Sequence, residues 1–116
     1  MTDFIQSNPV LVTGTSQGTA TTIYTVPAYT KRLRLFGLTV AAKGTWTSAA
    51  YTYVGVVRED DATTTTWEPL FSPYVPGGQA AAWGGDFFLS VGDELVAWST
   101  VSGKNTVTPA MEDITS

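Results

Sequence analysis

The densest group of potential ligands in this 116-residue sequence is the acidic run Glu59-Asp60-Asp61. A calcium loop needs several oxygens at alternating positions, with a glycine where the chain turns sharply. Three adjacent acids followed by Ala62 lack that spacing, so a solvated acidic turn is the simpler reading. Glu68, Asp86, Glu94 and Glu112 supply further carboxyls. A glycosidase would need two of them on either side of a sugar, and nothing in their spacing pairs them. In Leu89-Ser90-Val91-Gly92-Asp93-Glu94-Leu95, Gly92 suits a positive φ, and Asp93 suits bonding to nearby backbone N–H groups. That is turn chemistry.

The sequence has no histidine and no cysteine. Ser-His-Asp, Cys-His and His-zinc chemistries are therefore excluded, together with thiolate metal sites and disulfides. The expectation is a protein that is not an enzyme and uses no cofactor and no metal. Net charge is −4, and three of the six basic residues are Lys31, Arg32 and Arg34. Nucleic acid is not an expected partner, because phosphate neutralisation needs a basic face. Arg32 and Arg34 share a strand face, which suits solvent or an interchain pairing with acidic residues. Charged residues make up 14 % of the chain, against an ordinary value of about 25 %. Either a quiet Thr-rich β surface or an exterior covered by partners accounts for that.

Aromatic residues are the other chemistry-bearing group. Four tryptophans (Trp46, Trp67, Trp83, Trp98) and five tyrosines are many for this length. Trp98 alternates with Val96 and is expected in the core. Trp46 and Trp83 lie beside turns, where a large ring is hard for its own domain to enclose. Such rings suit packing over the ends of a fold, a protein interface or stacking on sugars.

The elements that position these residues read as strands. Residues 1–9 form an N-terminal arm with an isolated apolar pair, Phe4-Ile5, and 10–116 form a single domain. That pair either tucks onto its own domain or docks on a neighbour. Ile23 to Ala42 organises the rest as two strands joined by a corner at Pro27 to Thr30. Pro27 lacks the N–H of a central ladder, so it ends the first strand or sits at a sheet edge. In the second, Leu33 and Leu35 oppose Arg32 and Arg34, and the apolar parity reverses from Phe36. Gly37 is the place for a bulge that bends the strand between two environments.

Tyr51 to Arg58 alternates, with Tyr51, Tyr53, Gly55 and Val57 opposite Thr52, Val54, Val56 and Arg58. Thr63 to Phe71 is a further strand, and Pro69 near its end marks an edge or an early exit. Ser72 to Gln79 is the longest loop signal. Ala80 to Trp83, Asp86 to Ser90, Leu95 to Val101 and Thr106 to Met111 complete the set, with Gly84-Gly85 separating the first two. Helical periodicity is absent. The expected fold is all-β, a two-sheet antiparallel sandwich of about eight strands, jelly-roll or immunoglobulin-like. The N-terminus lacks the pattern of a signal peptide, and no apolar run approaches a membrane span. Synthesis and assembly in a cytoplasm, without a membrane partner, is expected.

The segment Thr22-Ile23-Tyr24-Thr25-Val26-Pro27-Ala28, the basic-then-apolar strand after it, and Phe88 to Leu95 resemble a pattern in small virion proteins of tailed bacteriophages. These are β-sandwich proteins of head decoration (cement), head-fibre base or tail-associated type. The chain departs from the pattern in having Tyr29-Thr30 before Lys31 and Ala42-Lys43 after the long strand. The resemblance implies a virion structural component made in a host cytoplasm. The expected function is a head decoration or cement protein that binds the major capsid protein lattice and stabilises it. It would act as a homo-oligomer, with a trimer favoured. A tail, neck or fibre-base position and a carbohydrate-binding module are the alternatives. The expected contact residues are Phe4, Ile5, Trp46, Tyr74 and Trp83, with the Pro73 to Gly78 loop as a docking surface.

Overall fold

The computed structural model describes residues 3–5, 7–28, 30, 32–42, 50–59 and 65–114. Trp46, Lys31, Asp60 and Asp61 lie outside the described residues. The described strands are β1 (Asp3–Ile5), β2 (Val10–Leu11), β3 (Thr21–Thr25), β4 (Leu33–Ala42), β5 (Ala50–Glu59), β6 (Thr65–Phe71), β7 (Tyr74–Val75), β8 (Ala80–Leu89), β9 (Glu94–Ser99) and β10 (Asn105–Asp113). The described helical structure is a single 3-10 turn at Gln17–Thr19. Sheet A runs β1-β10-β4-β8, with β2 also on β10. Sheet B runs β3-β9-β5-β6, with β7 on β5. All pairings are antiparallel.

The strand order follows from nested pairing. β1 and β2 act as one broken strand, as do β6 and β7. The first strand then pairs with the last, β3 with β9, β4 with β8, and β5 with its immediate successor. A long hairpin folded over in this way is a jelly roll, which decides between the two topologies that the sequence left open.

Alternation places the core. From sheet A, Leu33, Leu35, Leu38, Val40, Leu89, Val107 and Met111 point inward. Val54, Val56, Leu95 and Ala97 meet them from sheet B, all essentially without solvent contact. The parity reversal in β4 resolves at a bulge. Leu35 pairs with Met111 and Phe87, while Gly37 pairs with Ala110 and Gly84. Phe36 is therefore the extra residue. The bulge does not send the two halves of β4 into different environments, as the sequence suggested. It returns both apolar runs to the same inner face and leaves Arg34, Phe36 and Thr39 outside. A similar irregularity absorbs Gly84-Gly85, so that Ala80–Leu89 is one strand and not two.

Pro109 sits in a strand with neighbours on both sides, where a missing N–H is normally excluded. Among the described residues, the other side of β10 is in register with β2 at 106–107 and with β1 at 111–113. Pro109 falls in the gap between them, and the Ser7 hydroxyl donates to its carbonyl there. Pro69 lies on β6, at the edge of sheet B, as expected of a proline inside a strand. Pro27 follows the end of β3. At that same end of the corner, Gly92 has φ +88° and donates to the Val26 carbonyl. Asp93 Oδ2 accepts from the Ser90 N–H at 2.9 Å, as the sequence indicated.

Two polar devices join the sheets. Arg58, at the end of β5, lies 3.4 Å from Glu68 and 3.7 Å from Asp93. It donates to the Phe88 carbonyl of β8 at 2.8 Å, and its guanidinium stands over the Phe87 ring. It thus ties sheet B to sheet A and covers a backbone group of an edge strand. Deeper in, the fully buried Asn105 of β10 donates from Nδ2 to the hydroxyl of the fully buried Thr52 of β5 at 2.5 Å. Removing one member strands the other without a partner, which costs more than removing both. Asn105→Ala is expected to lower unfolding stability by about 1–3 kcal/mol. The double variant Thr52→Val/Asn105→Leu should lose less, as measured by denaturant unfolding.

Candidate functional site

β5 builds the site. Because Thr52, Val54 and Val56 are buried against sheet A, the pleat turns Tyr51, Tyr53, Gly55 and Val57 to the outer face of sheet B. Neighbouring strands add rings in register. Tyr74 of β7 lies opposite Tyr51, Trp98 of β9 opposite Tyr53, and Trp67 of β6 opposite Val57. The result is a continuous strip in the order Tyr74-Tyr51-Tyr53-Trp98-Trp67. Successive ring centroids are 4.7, 6.3, 5.1 and 4.7 Å apart. Each such pair contributes roughly 0.5–1.5 kcal/mol beyond its buried area.

Gly55 makes the strip continuous. Trp67 leans back across β5 to reach Trp98, and its ring occupies the space where a side chain at 55 would stand. A Cβ there would run into the Trp67 ring and come within 2.5 Å of the Glu68 carbonyl. Val96, which pairs with Gly55, is also buried although it lies outside the core cluster. The outer face of sheet B therefore has a small apolar layer of its own. Tyr51 and Tyr74 remain 47 % and 57 % exposed, while Tyr53, Trp98 and Trp67 are half-buried.

The geometry limits what the strip can do. Tyr51 and Tyr53 are within 20° of parallel, and Tyr53 and Trp98 within 23°. At these separations near-parallel rings are displaced sideways and do not lie face to face in contact. A sugar platform needs a free ring face, whereas a protein interface is well served by large amphipathic rings standing close together.

The outer face of sheet A carries a different arrangement. Phe4, Glu112, Arg34 and Phe88 form one registered row across β1, β10, β4 and β8. Arg34 bonds Glu112 at 2.7 Å and also pairs with Asp86. These bonds, Glu112 first and then Asp86, raise its pKa above the ordinary arginine value. Its guanidinium lies 5.1 Å from the Phe36 ring, against which Phe4 packs edge-on at 5.9 Å. Arg32 stands over Phe88 at 4.2 Å. The carboxylates Glu68, Asp86, Asp93 and Glu112 are thus each held by an arginine. Among the described residues, no three acidic side chains converge and no pocket opens.

The expected contact residues divide accordingly. Phe4 is 75 % exposed on sheet A, and Tyr74 is exposed on sheet B. Ile5 and Trp83 are half-buried against the core, and Trp46 lies outside the described residues. Within the chain, the Phe4-Ile5 segment tucks onto its own domain as β1. Trp98, expected inside, faces out, because Leu95, Ala97 and Ser99 take the inner positions of β9. Tyr51, Tyr53, Trp67 and Trp98 are not among the expected contacts. The alternation of β5 already put Tyr51 and Tyr53 on one face; the register that adds Trp98 and Tyr74 has no local signal. The 72–79 loop is strapped down by β7 and by bonds from Thr52 N–H to the Pro73 carbonyl and from Ala42 N–H to the Gln79 carbonyl.

Gly55→Ala tests the construction of the strip. The added methyl displaces Trp67, with an expected cost of about 1–3 kcal/mol and a shift in tryptophan emission. Gly55→Ala with unchanged stability and spectrum would contradict the packing described.

No family model and no curated protein matches the sequence. Among solved structures, a similar chain is described by the words "Bacillus endospore appendages form a novel family of disulfide-linked pili". The two share 14 % identity over 97 % of this chain and 84 % of that one, with a TM-score of 0.48. A likeness this distant carries no argument about function.

Proposed function

We propose that the protein is a non-enzymatic structural subunit that works by burying surface against neighbouring proteins, as a head decoration or cement protein of a tailed-phage virion. The observation that carries this reading is the outward aromatic strip of sheet B, ending in the exposed pair Tyr51 and Tyr74. Clustered, partly desolvated tyrosines and tryptophans are the residue types that dominate interface energetics. The low proportion of charged residues is consistent with an exterior that meets partners. The resemblance of the Thr22 to Ala28 segment, the basic-then-apolar strand after it and the Phe88 to Leu95 segment to virion β-sandwich proteins adds the particle context.

In this reading the subunit binds the major capsid protein through the strip and the adjoining 73–78 loop. Many copies, self-associated as a trimer, repeat a modest interface until the shell resists internal pressure. A neck, tail or fibre-base position uses the same surface and differs in copy number. The saccharide reading would use the same rings as a stacking platform.

Co-sedimentation of the purified chain with undecorated phage capsids provides the test. The double variant Tyr51→Ala/Tyr74→Ala is expected to weaken binding by about 30-fold or more, the scale of a hot-spot loss. Phe4→Ala, on the opposite sheet, should change it by no more than about threefold, below the hot-spot scale. Wild-type occupancy by the double variant would overturn the reading. Tryptophan fluorescence that saturates on titration with bacterial polysaccharide, with no capsid binding, would replace it with the carbohydrate module.

A further inference from the structure

Tyr51 and Tyr74 carry a second inference, independent of what the strip docks against. They are direct register partners on adjacent antiparallel strands. Side chains so opposed have Cβ atoms about 4.5–5.5 Å apart, so the backbone itself holds the rings together. The ring centroids lie 4.7 Å apart at 49°, and both residues are open to solvent.

We propose that Tyr51 and Tyr74 are an oxidative modification site, two phenols placed to couple into an intramolecular dityrosine when the protein meets a haem peroxidase with hydrogen peroxide. Each phenol gives up its O–H hydrogen as one electron and one proton, leaving a phenoxyl radical with spin density on the ring carbons ortho to oxygen. The two radicals combine, and a C–C bond forms between one ortho carbon of each ring. The hydrogen on each joined carbon then leaves as a proton while its oxygen takes one up, restoring two aromatic phenols. In all, the protein loses two electrons and two protons. One hydrogen peroxide takes them up and becomes two waters.

Proximity selects this pair. Holding two reacting groups side by side makes their combination effectively unimolecular, so coupling within the chain outruns coupling between chains in dilute solution. Tyr53 is a poorer competitor, because it is half-buried, stands 6.3 Å from Tyr51 and has Trp98 stacked 5.1 Å away. The bond joins β5 to β7 and closes the chain between 51 and 74. It thereby restricts the unfolded chain as a disulfide would, in a sequence that has no cysteine.

The test treats the dilute, purified full chain with a haem peroxidase and hydrogen peroxide. The expected product is a monomer lighter by two hydrogen atoms, with the blue emission of dityrosine, a cross-linked peptide containing Tyr51 and Tyr74, and a raised thermal midpoint. Tyr51→Phe and Tyr74→Phe, which keep both rings, should each abolish it, while Tyr53→Phe should not. A cross-link that maps to other tyrosines, that forms only between chains, or that persists in Tyr51→Phe would overturn the assignment. So would an absence of dityrosine.

Discussion

Each strand of a two-sheet sandwich has one face to bury, and that constraint decides what the other face shows. On β5 the inner positions belong to Thr52, Val54 and Val56, all without solvent contact. Tyr51 and Tyr53 must then face out, and with them whatever the neighbouring strands place in register. Gly55 removes the obstacle in the middle of the row, and Trp67 crosses it to meet Trp98. The aromatic strip is thus a by-product of core alternation plus one missing side chain.

The few charges serve the frame. Arg58 draws Glu68 and Asp93 together at one end of the sandwich and reaches β8, while Arg34 holds Asp86 and Glu112 across three strands of sheet A. Engaged by guanidinium groups, these four carboxylates act as fasteners of the frame. The strip itself is built from aromatic rings, with Val57 and Glu94 in register beside Trp67.

Much of this was legible in the sequence. Period-two alternation gave β5 correctly, Pro27 and Pro69 marked an end and an edge, and Gly92-Asp93 announced its turn. The bulge near Gly37 was also visible, although its effect was to restore one inner face and not to divide two. Three things were not readable. Nested pairing depends on contacts far apart in sequence, so jelly-roll order has no local signal. Trp98 was misplaced because alternation tells which residues share a face but not which face is inside; Ala97 and Ser99, small and fully buried, take the inner side of β9. The strip draws on four strands, and only their register brings Tyr74, Tyr53 and Trp67 into one line.

The central claim is that the outer face of sheet B is the working surface. Hydroxyl-radical footprinting of Tyr51 and Tyr74 in the free chain and in the chain mixed with undecorated phage capsids, the proposed partner, tests that claim most directly. The account predicts that both tyrosines, reactive in the free chain, become protected on assembly. Equal reactivity of both in the two states would contradict it.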